Sequence, residues 1–471
     1  MNSEALESKV KLFKKSFGLP SVVVGIARGG TEIYNAQGNI GPFRKADKDT
    51  VYRLASMSKS FISASVMILA ERGKVVIDKP VTEFLPEFRL ANEESTKKIT
   101  VRDVLSHRSG LPRHDLTLFL RKGFTLEQMV GIVPYLETSW AVGERFHYQN
   151  HMYATLSLLV QKVSGMPWEE FVDKNIFKPV GMTRSYAKQG EYVKVDGNYA
   201  RPRMRIHGVN LPAPSEDVTS TGGSGVLSAS TADVIKWIKI HMDDGGGLFS
   251  KESSKELHGR QTPIKDNEFV PYKLPGVEDR HYGFGWFSEA YKGARLVHHG
   301  GSVGGFKPFM AFAEGQDLGI AIQINQGGSP AASALVYTLF DEILGLEKTD
   351  WIDFYKSLDS DLRARSQAHF KELIGTGELK SPPGDCLGIY ENPAYGKMEI
   401  KGTPQSPTLV FADTYKMKLL PGNKDDYAAK VPGFAFSCRF RLEGGKVAAF
   451  EANVEEEAPH YISYEKKQDK A

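Results

Sequence analysis

The sequence predicts a mixed α/β (α+β) body, an antiparallel sheet flanked by helices and accompanied by an all-helical region, with a small C-terminal β domain after it. Three observations carry this. Strand-like runs from Ser21 to Ala27 and between Tyr282 and Asn325 enclose a helical middle, so the first and last strands can share one sheet. A charged helical pattern, Trp351 to Leu373, and the breaker run Ser381-Pro382-Pro383-Gly384 mark a connector and a linker. Beyond them, Gly388 to Lys466 is strand-like and turn-rich, which suits a barrel or a sandwich. The expected divisions are 1–349, 350–384 and 385–471.

The elements follow in order. The opening MNSEALESKVKLFKKSFG places Ala5, Leu6, Val10, Leu12 and Phe13 at amphipathic helical spacing. Ser21 to Ala27 (SVVVGIA), the turn Arg28-Gly29-Gly30 and Thr31 to Tyr34 read as a hairpin. Leu54 to Gly73 is a long apolar helix, and Asp78 to Phe88, broken by Pro80 and Pro86, a turn-rich connection. Helices are expected at Ile99 to Ser109, capped by Thr100, from Thr125, at His151 to Gly165, and through Val234, Trp237 and Ile238. Glu191 to Thr221 reads as irregular. Tyr282 to Phe287, Leu296 to His298, Phe309 to Ala313 and Leu318 to Asn325 read as antiparallel strands before a last helix, Ala332 to Leu344. In the C-terminal part, Lys397 to Lys401, Thr408 to Phe411 and Phe434 to Phe440 alternate as strands do.

Composition excludes several classes of function. With 471 residues, 41% hydrophobic and 25% charged, the chain has an ordinary globular composition and room for a large core. Its net charge of +3 is spread over both signs, so there is no electrostatic case for nucleic acid or an anionic membrane. No run approaches the ~18 apolar residues of a membrane span. The N-terminal stretch has acidic residues and no continuous apolar segment, unlike a secretory signal, so a cytoplasmic location is expected. Cys386 and Cys438 are then expected to stay thiols rather than form a disulfide. There is no HExxH, CxxC or Walker-type loop, so neither a metal nor a cofactor is expected.

The chemistry centres on LASMSKSFISASVMILAERG, Leu54 to Gly73. Ser56 and Lys59, three residues apart, share a helix face. A lysine buried beside Phe61 and Ile62 can lose enough basicity to accept the serine proton, and the helix N-terminus favours negative charge developing next to Ser56. The S-x-x-K spacing recurs at Ser8, Ser95, Ser185 and Ser463, but none of these opens a long apolar helix. Tyr148-Gln149-Asn150 places a phenol before a helix, where a nearby cation would lower its pKa and let Tyr148 shuttle a proton. In VHHGGSVGGF, Val297 to Phe306, two histidines precede glycines that admit a close backbone approach, and Ser302 is the expected oxyanion donor beside the Ser56 N–H.

Together, LASMSKSF, VLSHRSGLP, HYQN, FKPVGM, GGSGVLSASTAD, YGFGW and HHGGSVGGF resemble the penicillin-binding-protein-like serine hydrolases, over roughly Leu19 to Gly345. That group contains class C β-lactamases, D-stereospecific peptidases and carboxypeptidases, and related esterases. The resemblance implies a serine β-lactamase-like fold, with Ser56 acylated, Lys59 its base, Tyr148 the second-motif tyrosine and Asn150 a ligand of the substrate amide. Aligning Gly304 to Phe306 makes the third motif His299-Gly300-Gly301, with His299 favoured over His298. Histidine, whose charge follows pH, stands where efficient β-lactamases carry lysine, so the peptidase and esterase members are the better guide. Gly388 to Ile400 resembles the opening of a lipocalin-like β domain, which in relatives can border the active site.

The expected function is a serine hydrolase forming an acyl-enzyme on small peptides, D-residue-containing ones included, or esters. Two alternatives stand beside it: an acyltransferase or peptide-cyclising thioesterase with the same acyl-enzyme, and an inactive binding protein on this fold. The only partner implied is a small-molecule or peptide substrate, and a homo-oligomer remains compatible with the chain.

Overall fold

The computed structural model describes residues 1–121, 123–266, 268–270, 272–375, 382–411, 415–423, 427–431, 434–455 and 457–467. Nine strands form the main sheet: β1 (Ser21–Arg28), β2 (Thr31–Gly41), β3 (Arg44–Lys45), β4 (Thr262–Pro263), β5 (Val277–Tyr282), β6 (Phe287–Tyr291), β7 (Ala294–Gly300), β8 (Phe309–Ala313) and β9 (Leu318–Ile324). Their order is β3-β2-β1-β9-β8-β7-β6-β5-β4, so the first and last strands do share one sheet. β1 and β9 pair antiparallel, with Val22 opposite Ile324 and Ala27 opposite Gly319. Both lie at the centre and are buried on both faces, which is why they read as unbroken apolar runs.

Helices cover the two faces. On one, α1 (Ser3–Phe17), α5 (Ala331–Ile343) and α6 (Trp351–Leu373) bury Leu6, Phe13, Leu335 and Trp351 against Val22, Val24 and Ile322. On the other, α2 (Ser58–Glu71) and α4 (Thr231–Met242) pack Phe61 and Trp237 against Val297, Met310 and Ala321. α3 (Asn150–Ser164) lies against α2 in the helical region and brings the Tyr148 loop to it. Every residue of α2 from Ser58 to Leu69 is buried. Its serines survive there because each is hydrogen-bonded: Ser60 Oγ donates to Met57 O at 2.9 Å and Ser65 Oγ to Phe61 O at 2.8 Å, Ser58 Oγ accepts from Leu227 N–H at 3.1 Å, and Ser63 Oγ lies 3.2 Å from Tyr153 OH. No helix among the described residues is long and apolar enough to cross a membrane.

Three expectations change. Tyr282 to Phe287 is not one strand: Tyr282 ends β5, Phe287 opens β6, and residues 283–286 turn between them with Phe284 and Trp286 buried in the core. Gly285 dictates this: its φ is +78°, and a Cβ there would stand 2.7 Å from Ser63 Oγ and 2.8 Å from Lys59 O. The stretch 191–221 contains a short helix, Glu191–Val195, and a hairpin, Arg203–Ile206 with Val209–Pro212, turning at His207-Gly208. Ser56 precedes α2 rather than belonging to it, in a 3-10 turn, Ala55–Met57.

The C-terminal strands run up and down from Gly388–Asn392 to Ile462–Lys466, nine in all, curled into a nearly closed barrel. The last pairs back on the first, Lys466 opposite Tyr390. Tyr390, Met398 and Phe450 fill its interior, and this apolar cluster is continuous with that of the helical body. Cys386 and Cys438 are buried and no disulfide joins them. Of the expected linker Ser381 to Gly384, Ser381 lies outside the described residues.

Candidate active site

Ala55 occupies the left-handed region at φ +49°, an uncommon conformation for a residue with a Cβ. This bend carries the chain from Leu54 into the turn that holds Ser56 ahead of α2. Lys59, in the first turn of α2, is wholly buried. Its Nζ lies 3.3 Å from Ser56 Oγ, 2.7 Å from Asn150 Oδ1 and 2.8 Å from Ser224 O. Burial holds the Lys59 pKa well below the usual lysine range; Asp115 opposes that shift and Arg113 adds to it. A neutral amine fits these partners. Its two N–H groups satisfy the two carbonyl oxygens, which leaves the lone pair for the Ser56 hydroxyl.

Tyr148 is buried beside this pair, with Lys59 Nζ 4.7 Å and the Arg113 guanidinium carbon 5.2 Å from its ring centre. The cation was expected to lower its pKa, and the balance goes the other way. Burial pushes the phenol above its usual range, outweighing the Ser56 hydroxyl and Arg113, which pull it down. Tyr148 is therefore a neutral donor.

His299 also departs from expectation. Burial, with the Lys59 charge second, lowers its pKa to about 3 against the opposing bond to Gly300 O. It is neutral at pH 7, and its charge does not follow pH in the physiological range. Its Nδ1 lies 2.6 Å from Gly300 O and its Nε2 3.3 Å from Tyr282 OH. His298, on the opposite side of β7, has Nε2 3.3 Å from the buried Glu289 carboxylate and stacks between Phe287 and Phe309.

Asn150 is held at both ends of its amide. Oδ1 accepts from Lys59, and Nδ2 donates to Asp115 Oδ1 at 2.8 Å. The close approach expected at the third-motif glycines is made by the protein itself: a Cβ on Gly301 would stand 2.5 Å from Leu54 O and 2.9 Å from Ala55 Cβ. Ser302 is exposed, and it shares with Ser56, Tyr148, Asn150, His299 and Gly301 a cavity of about 580 Å³. Among the described residues, no cluster of three His, Cys, Asp or Glu side chains suits a metal ion.

Arg113, Asp115, Ser224 and Tyr282 also belong to this constellation and were not singled out in the sequence. The first two lie just past VLSHRSGLP, a phrase whose end at Pro112 signals a loop, and the loop's charged pair was the available clue. The barrel reaches the same loops. His114 N–H donates to Glu455 Oε2 at 2.6 Å, His114 Nδ1 lies 2.6 Å from Tyr395 OH, and His147 Nε2 bonds the Glu457 carboxylate. Tyr148 thus follows directly on a residue tied to the barrel.

The family model described as Beta-lactamase matches residues 6–341. Among named proteins, the chain is similar to the unguisins hydrolase ungD' of Aspergillus campestris, 24% identical over 79% of this chain and 72% of that one. Among solved structures it resembles the octameric penicillin-binding protein homologue of Pyrococcus abyssi, with TM-score 0.66 and 23% identity, covering 99% of this chain and 100% of that one. It also resembles the D-amino acid amidase of Ochrobactrum anthropi, with TM-score 0.60 and 19% identity over 77% and 99% of the two chains.

Proposed function

The chain belongs to the β-lactamase family of serine hydrolases, and from that premise we propose that it cleaves small peptides, amides or esters through an acyl-enzyme at Ser56. The observation that carries the proposal is the buried Lys59 amine 3.3 Å from Ser56 Oγ, its other two partners both acceptors. Lys59 takes the hydroxyl proton as Oγ attacks the carbonyl carbon. The oxyanion is held by the backbone N–H groups of Ser56 and Ser302. Tyr148, a neutral phenol, gives its proton to the leaving group and regains one from Lys59. His299, neutral, keeps Tyr282 and the end of β7 in place. Water then attacks the acyl group and the proton path runs in reverse.

D-residue amides and peptides are the first substrates proposed, since a structural relative is named a D-amino acid amidase. A cytoplasmic location, and an assembly of like subunits such as the Pyrococcus abyssi homologue forms, belong to the same proposal. The test is intact-protein mass spectrometry after mixing with a fluorophosphonate and with activated acyl esters, Ser56→Ala serving as control. A Ser56-dependent adduct that decays in water supports the hydrolase. Decay only on addition of an amine transfers the assignment to an acyltransferase. Identical blank spectra from both proteins overturn the acyl-enzyme altogether.

A further inference from the structure

The cavity at Ser56 is lined by three permanent or near-permanent cations, and two of them are already engaged. Arg113 is paired with Asp115, and Arg280 Nε lies 3.2 Å from Glu289 Oε2. The third is Lys307. Among the described residues its ammonium has no hydrogen bond or ion pair, and burial alone acts on its pKa, downward, with no carboxylate opposing it.

The acidic groups lining the same cavity are bonded elsewhere: Glu216 Oε2 accepts from Gly304 N–H at 3.0 Å, Asp115 Oδ1 accepts from Asn150, and Asp359 Oδ2 lies 3.0 Å from the Arg363 guanidinium. Nothing the protein provides neutralises Lys307. A partly buried ammonium without a counter-ion is unfavourable, and an anion entering from solvent removes that penalty.

The backbone places Lys307 close to the reacting centre. Its N–H donates to Ile324 O at 3.0 Å, and the next residue's carbonyl, Pro308 O, accepts from Gly301 N–H at 2.9 Å. Gly301 in turn packs on Ala55, the neighbour of Ser56. Phe306, buried with Val23, Ile40 and Tyr52 on the opposite side, fixes the direction in which Lys307 can extend. His299, neutral at pH 7, cannot supply a positive charge at the third motif.

We propose that Lys307 is the anion-recognising residue of this cavity and that the preferred substrates are peptides, amides or esters bearing a free carboxylate. As a statement about turnover this rests on the acyl-enzyme proposed above; as a statement about binding it does not. The test is therefore made by calorimetry on a Ser56→Ala background, with N-acetyl-D-phenylalanine, N-acetyl-L-phenylalanine and their primary amides as probes. At least one acid is expected to bind about tenfold more tightly than its amide, the worth of one charge-assisted hydrogen bond. Adding Lys307→Met is expected to collapse that acid-to-amide ratio towards one, and Lys307→Arg to restore most of it, with circular dichroism confirming folding of each. The proposal is overturned if no acid binds more tightly than its amide, if nothing binds, or if the ratio survives Lys307→Met. Since Ser56 is absent from every protein compared, failure here is separate from failure of the mass-spectrometric test.

Discussion

At the scale of the residue, the site depends on two pKa values moving in opposite directions for one reason. Burial disfavours charge, so it holds the Lys59 ammonium well below the usual lysine range and pushes the Tyr148 phenol above its own, favouring the neutral form of each. The sign for activity follows directly. On the proposed mechanism Lys59 gains a proton as pH falls and can no longer accept the one on Ser56, so kcat/KM is expected to show an acid limb governed by Lys59. His299 titrates near 3 and stays neutral across the working range. His299→Gln is therefore expected to leave the position of the acid limb in place while lowering its height, which a pH–rate profile on an activated ester reads. A limb that moved with His299→Gln would transfer the base role away from Lys59. Lys59→Arg keeps a charge that cannot be lost, and kcat/KM should fall by about 10²–10⁴-fold, the usual contribution of a general base.

At the scale of the element, two glycines set the distance between the sheet and the nucleophile. Gly301, at the end of β7, stands against Leu54 O and Ala55 Cβ, and Gly285, in the β5–β6 turn, stands against the first turns of α2. A methyl group at Gly301 forces the Ser56 turn away from β7. Gly301→Ala is expected to destabilise by about 1–3 kcal/mol, as overpacking does, and to cut acylation more than that loss of folded protein explains. Gly285→Ala meets backbone atoms of α2 and also a positive φ, so its effect should fall mainly on the melting temperature. Denaturant melts of the two variants beside their acylation rates separate these outcomes. Equal effects of both variants on acylation per folded molecule would contradict the placement of Gly301.

At the scale of the whole molecule, the barrel touches the loops that carry Arg113, Asp115 and Tyr148. Glu457 is bonded to His147, and that bond, against some opposing burial, holds its carboxyl below the usual glutamate range. A depressed carboxyl contributes its contact above the unfolded pKa and loses it as pH falls through the depressed value. Glu457 is about half exposed, so the pair itself is worth little in stability, under about 1 kcal/mol. Its effect is expected instead on the adjoining loop. Glu457→Gln should lower kcat/KM by about threefold with a nearly unchanged melting temperature, and high salt should reduce wild type towards the variant. A salt-independent rate and an unaltered Glu457→Gln enzyme would show that the barrel contact does not reach Tyr148.

Local patterns were enough for much of this protein. The helices at Ser3–Phe17 and Trp351–Leu373 and the central strands were legible because periodicity, caps and apolar runs are recorded in neighbouring residues, whereas the turn that holds Ser56 ahead of α2 was not. The cap at Thr100 and the helix start at Thr125 were legible for the same reason, and in the structure both are capping boxes. The YGFGW stretch was misleading because a turn wedged into a core carries the same aromatic residues as a strand. What tertiary structure alone decided were the quantities that depend on distant neighbours. These are the Asp115 bond that orients Asn150, the burial that favours the neutral forms of Lys59, Tyr148 and His299 together, and the barrel carboxylates resting on the site's loops. Composition and spacing identify which groups can exchange a proton. Only the packing around them sets the solvation that determines which way the proton goes.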